Sequence, residues 1–141
     1  MLTLHLGSIL QLLWQVHILV IRSILNSSVV QVVGRKSVWL APPTVSRSMS
    51  SYAEASYSGT NSSDEPGMSN GVLSNTSRID VFSDYRTTNR NMSSDYALFQ
   101  ETVVPEAMST ILEPGDVLFF PPGWWHAMRS ETVSFSVSMW F

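Results

Sequence analysis

The stretch "EPGDVLFFPPGWWHAM", residues 113–128, constrains the fold more than any other, because proline and glycine cut it into pieces too short for helices. Pro114 fixes φ and Gly115 supplies a left-handed position, so "EPGD" reads as a turn that launches a strand over Val117–Phe120. Pro121, Pro122 and Gly123 end that strand, since proline cannot donate to a sheet ladder. The run Trp124–Arg129 then reads as a strand folding back antiparallel, with Trp124, His126 and Met128 on one face and Trp125, Ala127 and Arg129 on the other. After a turn at Ser130 and Glu131 the last run, "VSFSVSMWF", alternates: Val133, Phe135, Val137, Met139 and Phe141 face one way, Ser134, Ser136, Ser138 and Trp140 the other. A hydroxyl-lined strand beside one that presents a histidine is what a small barrel with a polar pocket requires.

Upstream, "VVQVVGRKSVWLAPP" at 29–43 holds two β-rich runs, Val29–Val33 and Lys36–Leu40, separated by Gly34 and Arg35. Glycine at the first position of a two-residue link suits a type II′ hairpin, and Pro42 and Pro43 close the second run. Residues 44–78 are dominated by Ser, Asn, Gly and Tyr and read as a surface insert, with a short strand expected near Ile79–Phe82.

A chain of 141 residues with 44% hydrophobic content has enough apolar material for one domain. Its net charge of -3 supplies no basic footprint for nucleic acid or an anionic membrane surface. The absence of cysteine removes disulfides and thiolate sites and leaves the compartment open, with an intracellular setting favoured. Residues 1–28 form an apolar lead. Ser8, Gln11, Gln15 and Arg22 fall at helical spacing, which gives a helix with one polar stripe and a wide apolar remainder. No basic residue precedes this run, and His5, Gln11, Gln15 and His17 interrupt it, so it fits neither a signal peptide nor a membrane span well. It reads as an element packed on the domain, a membrane-associated segment, or sequence foreign to the domain downstream of it.

Together, "QVVGRKSVWLAPP" at 31–43, "LEPGDVLFFPPGWWHAM" at 112–128 and the closing "SFSVSMWF" resemble the JmjC-type cupin-like domain, over residues 29–141. The resemblance implies a mainly β, double-stranded β-helix fold of the jelly-roll kind. It implies kinship with Fe(II)- and 2-oxoglutarate-dependent oxygenases that hydroxylate or demethylate protein side chains, and hence a protein substrate or partner. Under it His126 matches the distal histidine of the metal triad, and Lys36 the lysine that pairs with the far carboxylate of 2-oxoglutarate. Ser138 and Trp140 match positions on the last strand that line or support the pocket. A neutral imidazole suits Fe(II), and an ammonium suits a buried carboxylate. Without the resemblance, His126 reads as a packed core residue and Lys36 equally as a solvated flank of the hairpin.

The chain departs from the family where the metal is held. The family's His-x-Asp/Glu pair belongs just before the first β-rich run, at Ile21 and Ser23 or one residue earlier at Val20 and Arg22, and neither is a ligand pair. No Asp or Glu occurs before Glu54, and His5 and His17 are followed two residues on by Gly7 and Leu19. Asp80 and Asp84 lie beyond the insert, where the fold gives no reason for them to reach the site. A lone imidazole does not hold Fe(II) against water, because affinity in such sites comes from several preorganised ligands. The expectation is an incomplete cupin-like domain, inactive as an iron oxygenase, of the kind a truncated or differently spliced product would show. The alternative is a non-catalytic module for protein interaction or self-association.

Overall fold

The computed structural model describes residues 20–52, 75–83 and 94–141. Among these residues eight strands form two antiparallel sheets: β1 (Val20–Arg22), β2 (Ser27–Val33), β3 (Lys36–Ala41), β4 (Thr76–Ser77), β5 (Met108–Leu112), β6 (Val117–Phe120), β7 (Trp125–Ser130) and β8 (Phe135–Trp140). Sheet A has the order β4-β1-β7-β3-β5 and sheet B the order β6-β2-β8. A helix, α1 (Ser94–Thr102), and two 3-10 turns (Pro43–Ser48 and Val104–Glu106) complete the described fold.

Strands β2, β3, β6, β7 and β8 fall where turn chemistry and alternation place them, but they do not pair as sequence neighbours. The hairpin expected across Gly34 and Arg35 is corrected: β2 lies in sheet B and β3 in sheet A, so the link crosses from one sheet to the other. The fold-back of Trp124–Arg129 on Val117–Phe120 is corrected likewise, because β6 pairs with β2 while β7 pairs with β1 and β3. Local turn signals specify where the chain reverses. They do not specify whether the reversal stays in one ladder, which is decided by which faces must be buried.

Those faces are legible in the burial pattern. Val38, Leu40, Leu112 and Met128 of sheet A meet Val29, Leu118 and Phe120 of sheet B in one apolar core between the sheets. The opposite face of sheet A, with Val20, Trp39, Ala41, Trp125 and Ala127, packs under Val45, Met49, Ile79, Phe99 and Val103 in a second core. Val45 and Met49 belong to the stretch read as surface insert, yet both are buried. Trp125, 1% exposed, donates its indole N–H to Ser46 Oγ at 2.9 Å, which satisfies the one polar group of an otherwise apolar ring. Three layers result: helical segments, sheet A and sheet B.

Two further expectations change. The short strand lies at Thr76–Ser77, upstream of Ile79–Phe82, where it pairs with β1. The amphipathic helix read across the lead falls mostly outside the described residues, and its last part, Val20–Arg22, is strand. Among the described residues no helix is long and apolar enough to cross a membrane.

Two cross-sheet links are fastened to each other. Arg35 N–H donates to Thr132 Oγ1 at 3.0 Å, and Glu131 N–H donates to the Arg35 carbonyl at 2.9 Å. Gly34, at φ 70°, lies so close to the β7–β8 link that a Cβ would sit 2.1 Å from the Val133 carbonyl oxygen. Only glycine satisfies both demands. This junction sets the start of β3, and with it Lys36.

Candidate functional site

The site lies between the sheets, and β7 aims its histidine. The alternation read from sequence holds here: Trp125 and Ala127 join the helix-side core, whereas Trp124 and Met128 pack in the inter-sheet core. His126 shares the latter side, and its ring stands 4.6 Å from that of Phe120. Its Nδ1 is buried with no hydrogen-bond partner. Burial pushes the imidazole pKa down to about 4, opposed in part by the nearby Trp124 backbone, so the ring is neutral at neutral pH.

The residue directly across from His126 on β1 is Ile21, and on β3 it is Leu40. Two positions beyond Ile21 comes Ser23, whose N–H donates to the Trp124 carbonyl at 2.9 Å. The Ser23 hydroxyl donates to the Leu25 carbonyl at 2.6 Å and lies 3.0 Å from Ser27 Oγ. The chain segment that should bring two ligands to His126 is therefore present beside it, carrying a branched apolar side chain and a hydroxyl engaged with its own loop. Asp80 bonds within its turn, accepting from Phe82 N–H at 2.9 Å and Ser83 Oγ at 2.6 Å. Asp84, His5 and His17 lie outside the described residues. Among the described residues no group of three His, Cys, Asp or Glu is arranged to hold a metal ion. This donor set does not fit Fe(II), which needs three ligands on one wall.

At the other end of the inter-sheet space stands Lys36, the first residue of β3 and 6% exposed. Its ammonium donates across the gap between sheets to Ser136 Oγ on β8 at 2.5 Å. Burial lowers its pKa. Among the described residues the ion pairs are Arg78–Asp95 and Arg129–Glu131, so Lys36 has no carboxylate. Gln31, 0% exposed, pairs with Ser136 in sheet B. Its amide N–H groups donate to the carbonyls of Val33 at 2.7 Å and Gly34 at 2.9 Å, while its Oε1 is buried without a partner. Lys36 and Leu40, the latter opposite His126, are four residues apart on β3, which separates the cation from the imidazole by roughly 13 Å along the strand.

Ser138 and Trp140 lie on β8 in the same alternation as Ser136, paired with Val29 and Ser27. The polar row of β8 thus runs from Lys36 towards the end where His126 sits. The solvated-flank reading of Lys36 is excluded by its burial. Alternation alone places Ser136 on the hydroxyl face without linking it to Lys36, and it assigns Gln31 no role. The signal for Gln31 is a single polar residue inside an apolar β-run, at an inward position. Chemically, the space offers an ammonium, hydroxyls and a neutral imidazole that can accept a proton or hydrogen bond. Among the described residues it offers no cluster of anionic ligands.

Comparison with known proteins places this geometry. The family profile described as a cupin-like domain matches residues 24–141. The chain is 32% identical over 111 residues, 79% of its own length, to lysine-specific demethylase JMJ30 of Arabidopsis thaliana, covering 20% of that protein. It is 41% identical over 70 residues to lysine-specific demethylase 8 of Xenopus tropicalis, half of this chain and 14% of that protein. A shorter match, 61% over 31 residues, joins 22% of the chain to 8% of Jumonji C domain-containing protein 5 of Drosophila melanogaster. The matches thus span a fifth or less of these curated relatives. Matched over most of its length by the cupin-like profile and related to JmjC proteins, the chain belongs to the cupin-like domain family, of JmjC type.

Proposed function

We propose that this chain is a degenerate relative of the Fe(II)- and 2-oxoglutarate-dependent protein oxygenases, one that keeps the cosubstrate end of the site and has lost the metal end. The observation that carries this reading is the register of β1 against β7, which sets Ile21 opposite His126. Lys36 with Ser136 retains the cation that would meet a carboxylate, and Ser138 and Trp140 occupy the strand between. Among the described residues no ligand group stands with the His126 imidazole. Two of the relatives are named as lysine-specific demethylases, which supports a protein as the class of molecule this domain meets.

Titration calorimetry with Mn(II) as a surrogate for Fe(II), with and without 2-oxoglutarate, tests the proposal. The expected result is no Mn(II) binding below millimolar concentration in either case. Micromolar binding that disappears in His126→Ala overturns it and restores the oxygenase.

A second reading, a non-catalytic protein-interaction module, is favoured by a specific observation: sheet B leaves large apolar side chains uncovered among the described residues, including Phe119 and Phe141.

A further inference from the structure

The three layers are unequal. Among the described residues, sheet A is covered on both faces, by sheet B and by the helical segments, whereas sheet B packs by its inner face. The register fixes what its outer face carries. Val117, Val30 and Val137 form one row across the three strands, and Phe119, Ser28 and Met139 the next, with Phe141 at the edge. Val117 is 64% exposed, Phe119 55% and Phe141 57%. The rings of Phe119 and Phe141 lie 6.3 Å apart and stack on each other. No residue of β2, β6 or β8 is charged.

With Val32 and Phe135, this face exposes roughly 500 Å² of apolar surface, at the upper end of what a monomer's largest patch reaches and most of the roughly 800 Å² that each partner contributes to a specific interface. A face without charge gives an acidic or basic partner nothing to pair with, and a lysine-bearing peptide would lose its hydration there without return. What complements an uncharged, apolar sheet face is another of the same kind, and every copy of this chain carries one. We infer that the chain self-associates through the outer face of sheet B, two copies packing face to face about a two-fold axis. The interface is then isologous, with the sheets about 10 Å apart as in a β-sandwich. This inference deepens the interaction-module reading and rests on it. It gives that module its partner, a second copy.

Sedimentation velocity of the full chain from 1 to 100 µM in EDTA tests it, free of any contribution from metal. The expected result is a concentration-dependent shift from monomer to dimer. Phe119→Lys and Val117→Lys should each raise the dimer dissociation constant at least tenfold, because each buries an unpaired charge, twice over by symmetry, in an apolar contact. Both positions are exposed, so circular dichroism should stay unchanged and separate loss of association from loss of fold. A monomer at every concentration overturns the inference, as does a dimer that both lysine variants leave intact. If the full chain is monomeric and deletion of residues 1–19 makes it dimeric, the occupant is the chain's own lead and the inference fails. If a monomeric chain floats with phosphatidylcholine vesicles and Phe119→Lys does not, the occupant is lipid and it fails again. Metal binding is read by calorimetry and association by sedimentation, so failure of one proposal is distinguishable from failure of the other.

Discussion

His126 makes stability depend on pH with a sign and size that follow from its surroundings. Its folded-state pKa of about 4 lies below the unfolded value of 6.5. Between those values the unfolded chain holds a proton that the folded chain refuses, so folding weakens as pH falls from about 6.5 towards 4. The full effect is on the order of 3 kcal/mol, of which about 2 kcal/mol is lost between pH 7 and pH 5. That is a large share of the roughly 5–15 kcal/mol that stabilises an ordinary domain. His126→Leu removes the titration, and its apolar side chain suits the neighbouring Phe120 and Leu40. Urea unfolding followed by tryptophan fluorescence suits the measurement, because Trp39 and Trp125 are buried. From pH 7 to pH 5 the natural chain should lose about 2 kcal/mol more than His126→Leu, carboxylates and the other histidines being common to both. Parallel stability curves would refute the buried neutral imidazole. Midpoints of the natural chain that rise with micromolar Mn(II) at pH 7 would show instead that the imidazole is a ligand.

Other consequences are separately measurable. Gly34→Ala forces a Cβ into the β7–β8 link at positive φ and should cost about 3 kcal/mol in urea unfolding. Lys36→Met replaces a buried cation that has a hydroxyl for a partner, so stability at pH 7 should be unchanged or higher by about 1 kcal/mol, read as a thermal midpoint that does not fall. Because burial lowers the Lys36 pKa below 10.5, the natural chain should also gain stability relative to Lys36→Met as pH rises towards that value, the unfolded chain being the one that keeps the proton. The double change Ile21→His with Ser23→Asp should create Mn(II) binding in the micromolar range that His126→Ala abolishes, measured by calorimetry.

How much of this was legible in the sequence depended on the range of the interaction. Turns and alternation are local, so β6 between Gly115 and Pro121, the inward face of β7 and the hydroxyl row of β8 could be read directly. Partner choice is not local. Gly34 and Arg35 look like a hairpin because a two-residue link with positive φ at its first position is what a hairpin uses, yet here it carries the chain from one sheet to the other. The helix α1 escaped because it buries one residue, Phe99, and has almost no apolar periodicity. The contact between Lys36 and Ser136 spans 100 residues and two sheets, beyond the reach of any pattern within a single strand.

The same separation of ranges shows how a cupin-like architecture can form with Ile21 and Ser23 at the positions where the proposed function puts the lost ligand pair. Position 21 answers to two demands. The fold needs a residue there that tolerates a half-buried place between His126 on β7 and Thr76 on β4, and an isoleucine meets that demand without the desolvation an imidazole requires. The chemistry needs a lone pair aimed at the same point as His126, and isoleucine has none. Ser23 divides in the same way: its hydroxyl closes the Ser23–Ser27 loop through Leu25 and Ser27, a structural task that a carboxylate aimed at a metal could not perform at once. Lys36 behaves differently, because it links the two sheets through Ser136 from a buried position, so the fold alone is not a sufficient reason for its amino group. On the proposed reading, the end of the site at Lys36 keeps a cation that packing does not require, and the end at Ile21 and Ser23 answers to packing and loop closure.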